Sequence, residues 1–330
     1  EEVHDFIRGK DCVLVIEEGQ PNHIEEAITT LTHKANIETR IEGKEHLPMA
    51  GEYTSVVVEA GLTGFFRAHA SHLLTAAHRA PNEPRALPEG LGPEAVPARP
   101  PSFCIGCPER PIMAATKLVQ DEVGEMQIAG DIGCHLFAIL PPFNLGGTTM
   151  GFGLGPASNA AFSAAGTGRR VLSFMGDGGF WHNGLSSSIG NAVFNKTDDV
   201  IVIVDNFYSA ATGGQDILSS RAENPTKSTQ HPLEKAVRGV GVEWVRQIDR
   251  TYDVPKMKAL LHEAMTTDFE GPKVIIASSE CMLNRQRRER PERARKMREG
   301  ESVTVPRFGV DEAVCTGDHA CIHLSGCPSL

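Results

Sequence analysis

Hydrophobic and polar residues along the chain form a pattern that predicts strands and helices in alternation. Runs rich in Val, Ile and Leu predict strands buried on both faces, as in a parallel sheet. The clearest runs are MQIAG (126–130), VLSFM (171–175), VIVIVD (200–205) and KVIIAS (273–278). Segments with helical spacing of apolar residues alternate with them, at 111–124, 153–166, 185–195 and 253–265. This alternation predicts an α/β fold with a doubly wound parallel sheet.

A shorter piece of the same kind precedes this region. The runs DCVLVIE (11–17) and IETRIEG (37–43) predict two strands, and apolar residues at helical spacing lie between them. This β-α-β piece looks like the tail of a domain that begins upstream. Residues 81–101 are dense in Pro, Gly and Glu, which is typical of a linker.

Net charge, hydrophobicity and cysteine content exclude several classes of function. The 330-residue chain carries a formal net charge of −10, which argues against nucleic-acid binding. It has no apolar run long enough to span a bilayer and no signal-peptide pattern, so we expect a cytoplasmic protein without membrane contact. Its eight cysteines therefore point toward metal or catalytic use rather than disulfides. We interpret Cys12, in the run CVLVI, as a small core residue.

Polar residues follow two of the predicted strands where each strand ends. Gly176-Asp177-Gly178-Gly179 follows VLSFM, and Asn206 follows VIVIVD. Two ordinary turns would explain these residue types. Because ligands of doubly wound sheets bind beyond the carboxyl ends of the strands, the residues also predict a Mg²⁺–diphosphate site. A helix that begins near Asn183 would point its amino end at the phosphates.

The cysteines form two groups. Cys104 and Cys107 make a C-x-x-C pair, Cys134 lies in a glycine-rich loop and Cys281 follows the last strand. Four thiolates suit either a [4Fe–4S] cluster or a zinc ion. Near the end of the sequence, Cys315, Asp318, Cys321 and Cys327 resemble a ferredoxin run in which Asp replaces one cysteine and the last gap is longer by two. We interpret them as ligands of a second iron–sulfur cluster.

The motifs together resemble a known family. GDG followed by a strand that ends in Asn is similar to the thiamine-diphosphate fingerprint. TMGFG (149–153) resembles the segment beside the aminopyrimidine in thiamine enzymes, and DNFYSAATGGQ (205–215) resembles the loop after the metal-binding Asn in 2-oxoacid:ferredoxin oxidoreductases. FCIGCPERP (103–111) and GDIGCH (130–135) resemble the indolepyruvate ferredoxin oxidoreductase group. The resemblance spans essentially the whole chain.

This resemblance implies roles for individual residues. Asp177, Asn206 and the Tyr208 carbonyl would bind Mg²⁺, and Gly176, Gly178 and Gly179 would shape the phosphate turn. Further cofactor contacts would come from Met150 and Gly151 at the pyrimidine and from Thr212, Gly213 and Gln215 near the thiazolium. The candidate catalytic residues are His135, His182 and Thr212. The first four cysteines would bind a [4Fe–4S] cluster.

The resemblance also implies an activity and partners. We expect oxidative decarboxylation of an aryl 2-oxoacid to its acyl-coenzyme A, with thiamine diphosphate as cofactor and ferredoxin as electron acceptor. A further domain or subunit would supply the Glu that activates the pyrimidine, and the enzyme would be an oligomer. The alternatives are a non-oxidative thiamine decarboxylase, which needs no cysteine clusters, and a non-catalytic zinc or electron-transfer subunit.

The implied domain organisation has five parts. Residues 1–45 would be the tail of a transketolase-C-terminal-like domain and 46–101 a linker. The thiamine-diphosphate-binding domain would cover 102–285, followed by a basic linker at 286–307 and a truncated ferredoxin-like segment at 308–330.

Overall fold

The computed structural model describes residues 2–75, 101–166, 168–305 and 309–327. The chain divides into two compact units, Glu1–Ala98 and Arg99–Leu330, and each is described by itself. Almost all of the predicted linker at 81–101 lies outside the described residues, so that prediction stays untested.

The first unit contains a two-stranded parallel sheet with helices. Its elements are α1 (Glu2–Ile7), β1 (Cys12–Leu14), α2 (His23–Lys34), β2 (Arg40–Glu42), α3 (Ser55–His69) and a 3₁₀ turn (Ser71–Leu73). In the sheet, Cys12 lies opposite Arg40 and Leu14 lies opposite Glu42. The predicted β-α-β piece is therefore present. Helix α3 lies inside 46–101, however, so the expectation of a linker is wrong for that part of the range.

The second unit is built on a six-stranded parallel sheet. Its strands are β3 (Gln127–Gly130), β4 (Thr148–Thr149), β5 (Val171–Gly176), β6 (Val200–Asp205), β7 (Trp244–Ile248) and β8 (Lys273–Ser278). Its α-helices are α4 (Glu109–Val123), α5 (Asn159–Ala164), α6 (Asp177–Gly179), α7 (Asn191–Asn195), α8 (Leu233–Gly239), α9 (Val254–Thr266), α10 (Met282–Arg298) and α11 (Ala320–His323). The spatial order is β4-β3-β5-β6-β8-β7, with every neighbouring pair parallel. The predicted α/β fold is confirmed.

Both faces of this sheet are covered, which explains the continuous apolar strands. In β6, Val200, Val202 and Val204 point into one core, and Ile201 and Ile203 point into the other. All six residues of β6 and all six of β8 are buried. Because successive side chains alternate between faces, a strand between two cores has no position left for a solvent-facing residue.

The carboxyl ends of four adjacent strands bring the candidate residues to one edge. Strands β3, β5, β6 and β8 are neighbours and run parallel, so the segments that follow them emerge side by side. From β3 the chain turns outward to β4, and it then returns to β5 on the other side of β3. The gap between β3 and β5 is thus a switch point, where open α/β sheets bind ligands.

Two helices differ from the sequence-based expectation. The helix that follows β5 begins at Asp177 itself rather than near Asn183, and it continues through a π-helix over Phe180–Gly190. The sequence predicts a turn at these glycines, but the Gly178-Gly179 pair takes up helical conformation. The basic segment expected to be a linker from residue 286 belongs largely to α10, which begins at Met282. Among the described helices, none combines the length and apolar character needed to cross a membrane.

Candidate functional site

Asp177 lies at the centre of the carboxyl edge and is only 1% exposed. Its carboxylate accepts hydrogen bonds from the backbone amides of Gly178, at 2.8 Å, and Tyr208, at 3.2 Å. Burial, followed by the negative charge of Asp205, raises the pKa of Asp177 well above its ordinary value. A divalent cation beside this carboxylate would supply the missing positive charge.

Asn206 approaches the same place from β6. Its side chain is buried, and its Oδ1 atom has no hydrogen-bond partner among the described residues. Phe207, the next residue, adopts a left-handed backbone with φ of 64°. This conformation is costly for a residue with a large side chain, and such strain concentrates at functional sites. It is held by a hydrogen bond from Ser220 Oγ to the Phe207 carbonyl and by the Arg221 guanidinium, 3.7 Å from the ring centroid.

The side chains of Asp177 and Asn206 line one pocket, as the sequence predicted for neighbouring strand ends. Tyr208 and the glycines of the GDGG turn line the same pocket. A Cβ atom added at Gly176 would meet no heavy atom within 4 Å, which leaves open space beside the backbone of the turn. An unpartnered amide oxygen, a buried carboxylate and open space at the turn form a donor set suited to Mg²⁺ and a diphosphate.

Sequence reasoning missed Glu109, which also lines this pocket. Glu109 is the first residue of α4 and is 3% exposed. Burial raises the pKa of Glu109 to about 8, although a hydrogen bond with the Asn206 side chain acts in the opposite direction. Since Asn206 Oδ1 is unpartnered, the contact with Glu109 is made by the amide nitrogen. Among the described residues, Glu109 Oε2 has no hydrogen-bond partner, and it lies 3.9 Å from His135 Nδ1.

Asp131, a second residue that was missed, fastens the TMGFG segment to this edge. Its Oδ1 accepts hydrogen bonds from the amides of Gly153, at 2.7 Å, and Ile132, at 2.5 Å. Burial raises the pKa of Asp131 to about 7. The sequence contains a signal for Asp131, because Gly130-Asp131 lies at the end of β3 as Gly176-Asp177 lies at the end of β5.

Gly153 shows why TMGFG needs a glycine at its end. Its φ is +80°, and an added Cβ would collide with the backbone oxygen of Gly179 and would lie 2.7 Å from the backbone nitrogen of Gly184. Ser188 Oγ donates to the Gly153 carbonyl at 2.7 Å. The segment is thus packed directly against the helical run that begins at Asp177.

Of the first four predicted cysteines, Cys134 lines this pocket. Cys104 and Cys107 form a turn in which the Cys107 amide donates to the Cys104 carbonyl, and Gly106 has φ of +71°. The Tyr252 hydroxyl donates to the Gly106 carbonyl at 2.5 Å. The Cys281 amide donates to the Asn206 carbonyl at 3.1 Å. A residue of the cysteine group is therefore bonded directly to a residue of the predicted magnesium site.

Electrostatic coupling among the thiols indicates that they lie near one another. Burial is the main cause that raises the pKa of Cys107 and Cys281 and brings that of Cys134 to about 12, and mutual interactions with other cysteines of the group add to each shift. Among the residues that the structure describes, no three of these sulfur atoms lie within 4.8 Å of one another. A tetrahedral zinc ion would hold its sulfurs about 3.8 Å apart. A cubane binds each thiolate to a different iron, so it spaces them more widely.

The two candidate histidines have different surroundings. His135 is buried and lines the pocket, and its Nε2 contacts the Asp131 carbonyl at 2.8 Å. Burial lowers its pKa to about 4, so the ring is neutral at physiological pH. His182 is exposed and packs against Phe152, with ring centroids 5.2 Å apart. Phe152 lines the pocket but His182 is not among the lining residues.

Several predicted cofactor contacts lie away from the pocket lining. Met150 and Gly151 are exposed. Thr212, Gly213 and Gln215 are also exposed, and Thr212 and Gln215 hydrogen-bond to each other. From this loop the pocket is lined by Tyr208, Ser209, Ala210 and Ala211 instead. The Gly213-Gly214 pair adopts positive φ angles, which turn the chain back on itself beyond the pocket.

The structure shows fewer contacts within the second cysteine group, which consists of Cys315, Asp318, Cys321 and Cys327. Cys315 and Cys321 are exposed, and the Cys327 amide donates to the Cys321 carbonyl at 3.1 Å. Asp318 Oδ1 accepts a hydrogen bond from the Ala320 amide at the start of α11. The role of Asp318 as an iron ligand stays a prediction.

The fold and the site define a class of domain. Residues 131–277 match the family model described as "Thiamine pyrophosphate enzyme, C-terminal TPP binding domain". The match runs from Asp131, at the end of β3, nearly to the end of β8. Over these residues the chain is similar to thiamine-pyrophosphate-binding domains, as its GDG and Asn motifs predicted.

The curated relatives of this chain share one name. The chain is 32% identical over 294 residues to the indolepyruvate oxidoreductase subunit IorA of Methanothermobacter thermautotrophicus, covering 86% of this chain and 43% of that protein. It is 28% identical over 347 aligned positions to the subunit of the same name from Pyrococcus horikoshii, covering 98% of this chain and 48% of that protein. The resemblance to the indolepyruvate oxidoreductase group is confirmed. The chain spans about half the length of these relatives.

Among solved structures, a 2-oxoglutarate:ferredoxin oxidoreductase from Magnetococcus marinus is similar, at 19% identity with a TM-score of 0.48. That similarity covers 58% of this chain and 69% of the other.

Proposed function

We propose that this chain is the thiamine-diphosphate-binding portion of an oxidoreductase that decarboxylates an aryl 2-oxoacid of the indolepyruvate type. The products are CO₂ and the acyl-coenzyme A, and two electrons pass one at a time through iron–sulfur clusters to ferredoxin. The observation that carries the proposal is the hydrogen bond from the Cys281 amide to the Asn206 carbonyl. It places Cys281 beside the predicted cofactor edge, and a non-oxidative decarboxylase would not need the cysteine group.

Three groups of this chain would hold the Mg²⁺–diphosphate. The Asp177 carboxylate and Asn206 Oδ1 bind the cation, with the Tyr208 carbonyl as the third ligand. The burial of the Asp177 carboxylate and the unpartnered, buried Asn206 Oδ1 support the first two assignments. Gly176, Gly178 and Gly179 let the phosphates approach the backbone, and Met150 and Gly151 lie against the pyrimidine. When bound, thiamine diphosphate supplies the electron sink that decarboxylation requires.

The chain's own side chains prepare the site around this cofactor. Glu109 orients the Asn206 amide, and neutral His135 presents Nδ1 toward Glu109. Phe152, Ala210 and Ala211 line the pocket with apolar surface, which would help to exclude water from the site. His182, which packs against Phe152, and Thr212 with Gly213 and Gln215 stay candidates for contacts with substrate or with the thiazolium. A Glu from a further domain or subunit would complete the cofactor site in an oligomer.

Cys104, Cys107, Cys134 and Cys281 would hold a [4Fe–4S] cluster that accepts the electrons. The raised pKa values of the buried thiols mean that they need a metal to become thiolates at neutral pH. Cys315, Asp318, Cys321 and Cys327 would hold a second cluster, nearer to ferredoxin. Asp318 would be its weakest ligand, because carboxylate is a harder donor than thiolate.

The test is a substrate-dependent dye reduction measured anaerobically on the complete enzyme isolated from its own cells. Indolepyruvate with coenzyme A should reduce the dye faster than 2-oxobutyrate does, and the rate should depend on added thiamine diphosphate and Mg²⁺. Asp177→Ala should reduce the rate at least 100-fold, because it removes the carboxylate that binds the cation. Asp249→Ala, on an exposed turn, is the control and should leave the rate unchanged.

Two outcomes would contradict the proposal. Release of CO₂ and aldehyde without dye reduction would indicate a non-oxidative decarboxylase. Full activity in Asp177→Ala, with the control also active, would mean that the cofactor is held elsewhere.

A further inference from the structure

In the first unit, a carboxylate, an imidazole and a thiol lie close together at the end of β2. Glu42, the last residue of β2, is 2% exposed, which is rare for a carboxylate. Its Oε1 pairs with Arg40 Nε at 2.5 Å. Its Oε2 contacts His46 Nε2 at 2.6 Å and His69 Nε2 at 2.7 Å. None of these residues was singled out from the sequence.

Cys12 is the third member of this group. It is half-buried at the start of β1 rather than enclosed in a core, so our interpretation of it as a plain core residue does not hold. One ligand atom each from Cys12, Glu42 and His69 lies within 4.8 Å of the other two. We propose that Cys12, Glu42 and His69 form a binding site for a divalent transition metal ion, with Zn²⁺ as the best fit.

The donor set fits this ion. Zinc binds cysteine sulfur, histidine nitrogen and carboxylate oxygen, usually with four ligands in a tetrahedron. A thiolate and a carboxylate together neutralise the two positive charges of the ion, while the imidazole adds a neutral donor. Three protein ligands leave one position for water. With metal–ligand distances of about 2.0 Å, a tetrahedron places nitrogen and oxygen about 3.3 Å apart. His69 Nε2 and Glu42 Oε2 are 2.7 Å apart, so metal binding would widen this distance by only about 0.6 Å.

The surroundings of Glu42 support the same set of ligands. His46 belongs to a separate triplet with Glu42 and Glu45, which lacks a sulfur donor. When His69 binds the metal, His46 and Arg40 still hold the Glu42 carboxylate by hydrogen bonds. Such outer contacts orient a carboxylate that ligates a metal. The side chain of His69 is 26% exposed, which gives the ion a path from solvent.

The site would link three elements of the first unit. Cys12 is the first residue of β1, Glu42 is the last residue of β2, and His69 is the last residue of α3. The strands β1 and β2 are short, and Arg40 is the partner of Cys12 in the sheet. An ion held by all three elements stabilises the unit, because metal-binding energy appears as folding energy when the unfolded chain has no preformed site.

The test is anaerobic titration of the full chain with Co²⁺, which takes zinc sites and gives an absorption band when a thiolate binds it. The wild type should bind one equivalent more than Cys12→Ser, with a stronger thiolate-to-cobalt band. The other seven cysteines are identical in both proteins and cancel in the difference. His69→Gln should lose the same equivalent, and His33→Gln, the control at an exposed position of α2, should keep it. Zn²⁺ should displace the Co²⁺.

A second measurement guards against misfolded variants. When a chelator is added, the melting temperature should fall further in wild type and His33→Gln than in His69→Gln, because chelation also removes metal bound elsewhere in the chain. His69 lies at an exposed helix end, so its replacement leaves the core intact. Equal Co²⁺ binding by wild type and Cys12→Ser would overturn the proposal. So would loss of the extra equivalent in His33→Gln but not in His69→Gln.

Discussion

At the scale of single residues, some residues of the site could be predicted from the sequence, and others are recognised only from the fold. Asp177 and Asn206 could be predicted because each follows a buried strand, and neighbouring parallel strands end at one edge. Glu109 could not be predicted in this way. It follows a C-x-x-C-P segment at the start of a helix, and its nearness to Asn206 is a tertiary contact that no local pattern encodes.

Replacing Glu109 should show how strongly it fixes the orientation of the Asn206 side chain. Glu109→Ala leaves the Asn206 amide nitrogen without its acceptor, so Oδ1 is no longer held toward the cation. We expect the affinity for Mg²⁺ in the presence of thiamine diphosphate to fall by about 10–100-fold. Glu109→Gln keeps an acceptor oxygen and should restore most of the affinity. Calorimetric titration measures both. Equal affinity in Glu109→Ala and wild type, with unchanged circular dichroism, would rule out the positioning role.

At the scale of elements, the strands were easier to predict than the helix boundaries. A strand buried on both faces has a distinctive composition, and β5, β6 and β8 lie where the apolar runs placed them. The start of the helical run at Asp177 was missed because two glycines are poor helix formers. Tertiary contacts override this preference: an added Cβ at Gly179 would lie 3.1 Å from the Gly153 nitrogen. Close packing there leaves no space for a side chain.

The contact between TMGFG and this helix can be tested at Gly153. Gly153→Ala adds a methyl group against backbone atoms and forces alanine into a positive φ. We expect a loss of about 3 kcal/mol or more in the free energy of unfolding. The control is Gly166→Ala, where φ is +65° but an added Cβ meets nothing within 4 Å. It should cost only about 1 kcal/mol. Urea titration compares the two, and similar losses would show that the close packing contributes little.

At the scale of the whole molecule, several buried acidic side chains of the second unit lie at one edge of its sheet. Burial raises the pKa of Glu109 to about 8, of Asp131 to about 7 and of Asp205 to about 6. Without metal, this edge is stable only when these groups hold their protons. The composition of the chain gives no sign of this, because a net charge says nothing about which acids are buried.

The pH dependence of stability should reveal Asp131 in the metal-free chain. Its pKa is raised from 3.8 to about 7 on folding, so between these values the folded state holds a proton that the unfolded state has released. Stability is therefore full at low pH and is lost as pH rises toward 7, by on the order of 1 kcal/mol per pH unit. Asp131→Asn cannot ionise, so the difference in unfolding free energy between variant and wild type should grow with pH.

Chelator-treated protein should be unfolded with urea at about pH 5, 6 and 7. His135, whose pKa is lowered, acts in the opposite direction but contributes equally to both proteins. A constant difference between wild type and Asp131→Asn across this range would show that Asp131 is already ionised in the folded chain.

Iron and acid-labile sulfide, measured on the anaerobically purified chain, test the central claim most directly. A redox cluster beside the magnesium edge predicts about four iron atoms and four sulfides bound by the first cysteine group. Cys107→Ser should lose them while keeping the circular dichroism of the parallel sheet, and Cys12→Ser should retain them. Zinc in place of iron, or the same iron content in Cys107→Ser as in wild type, would contradict the account.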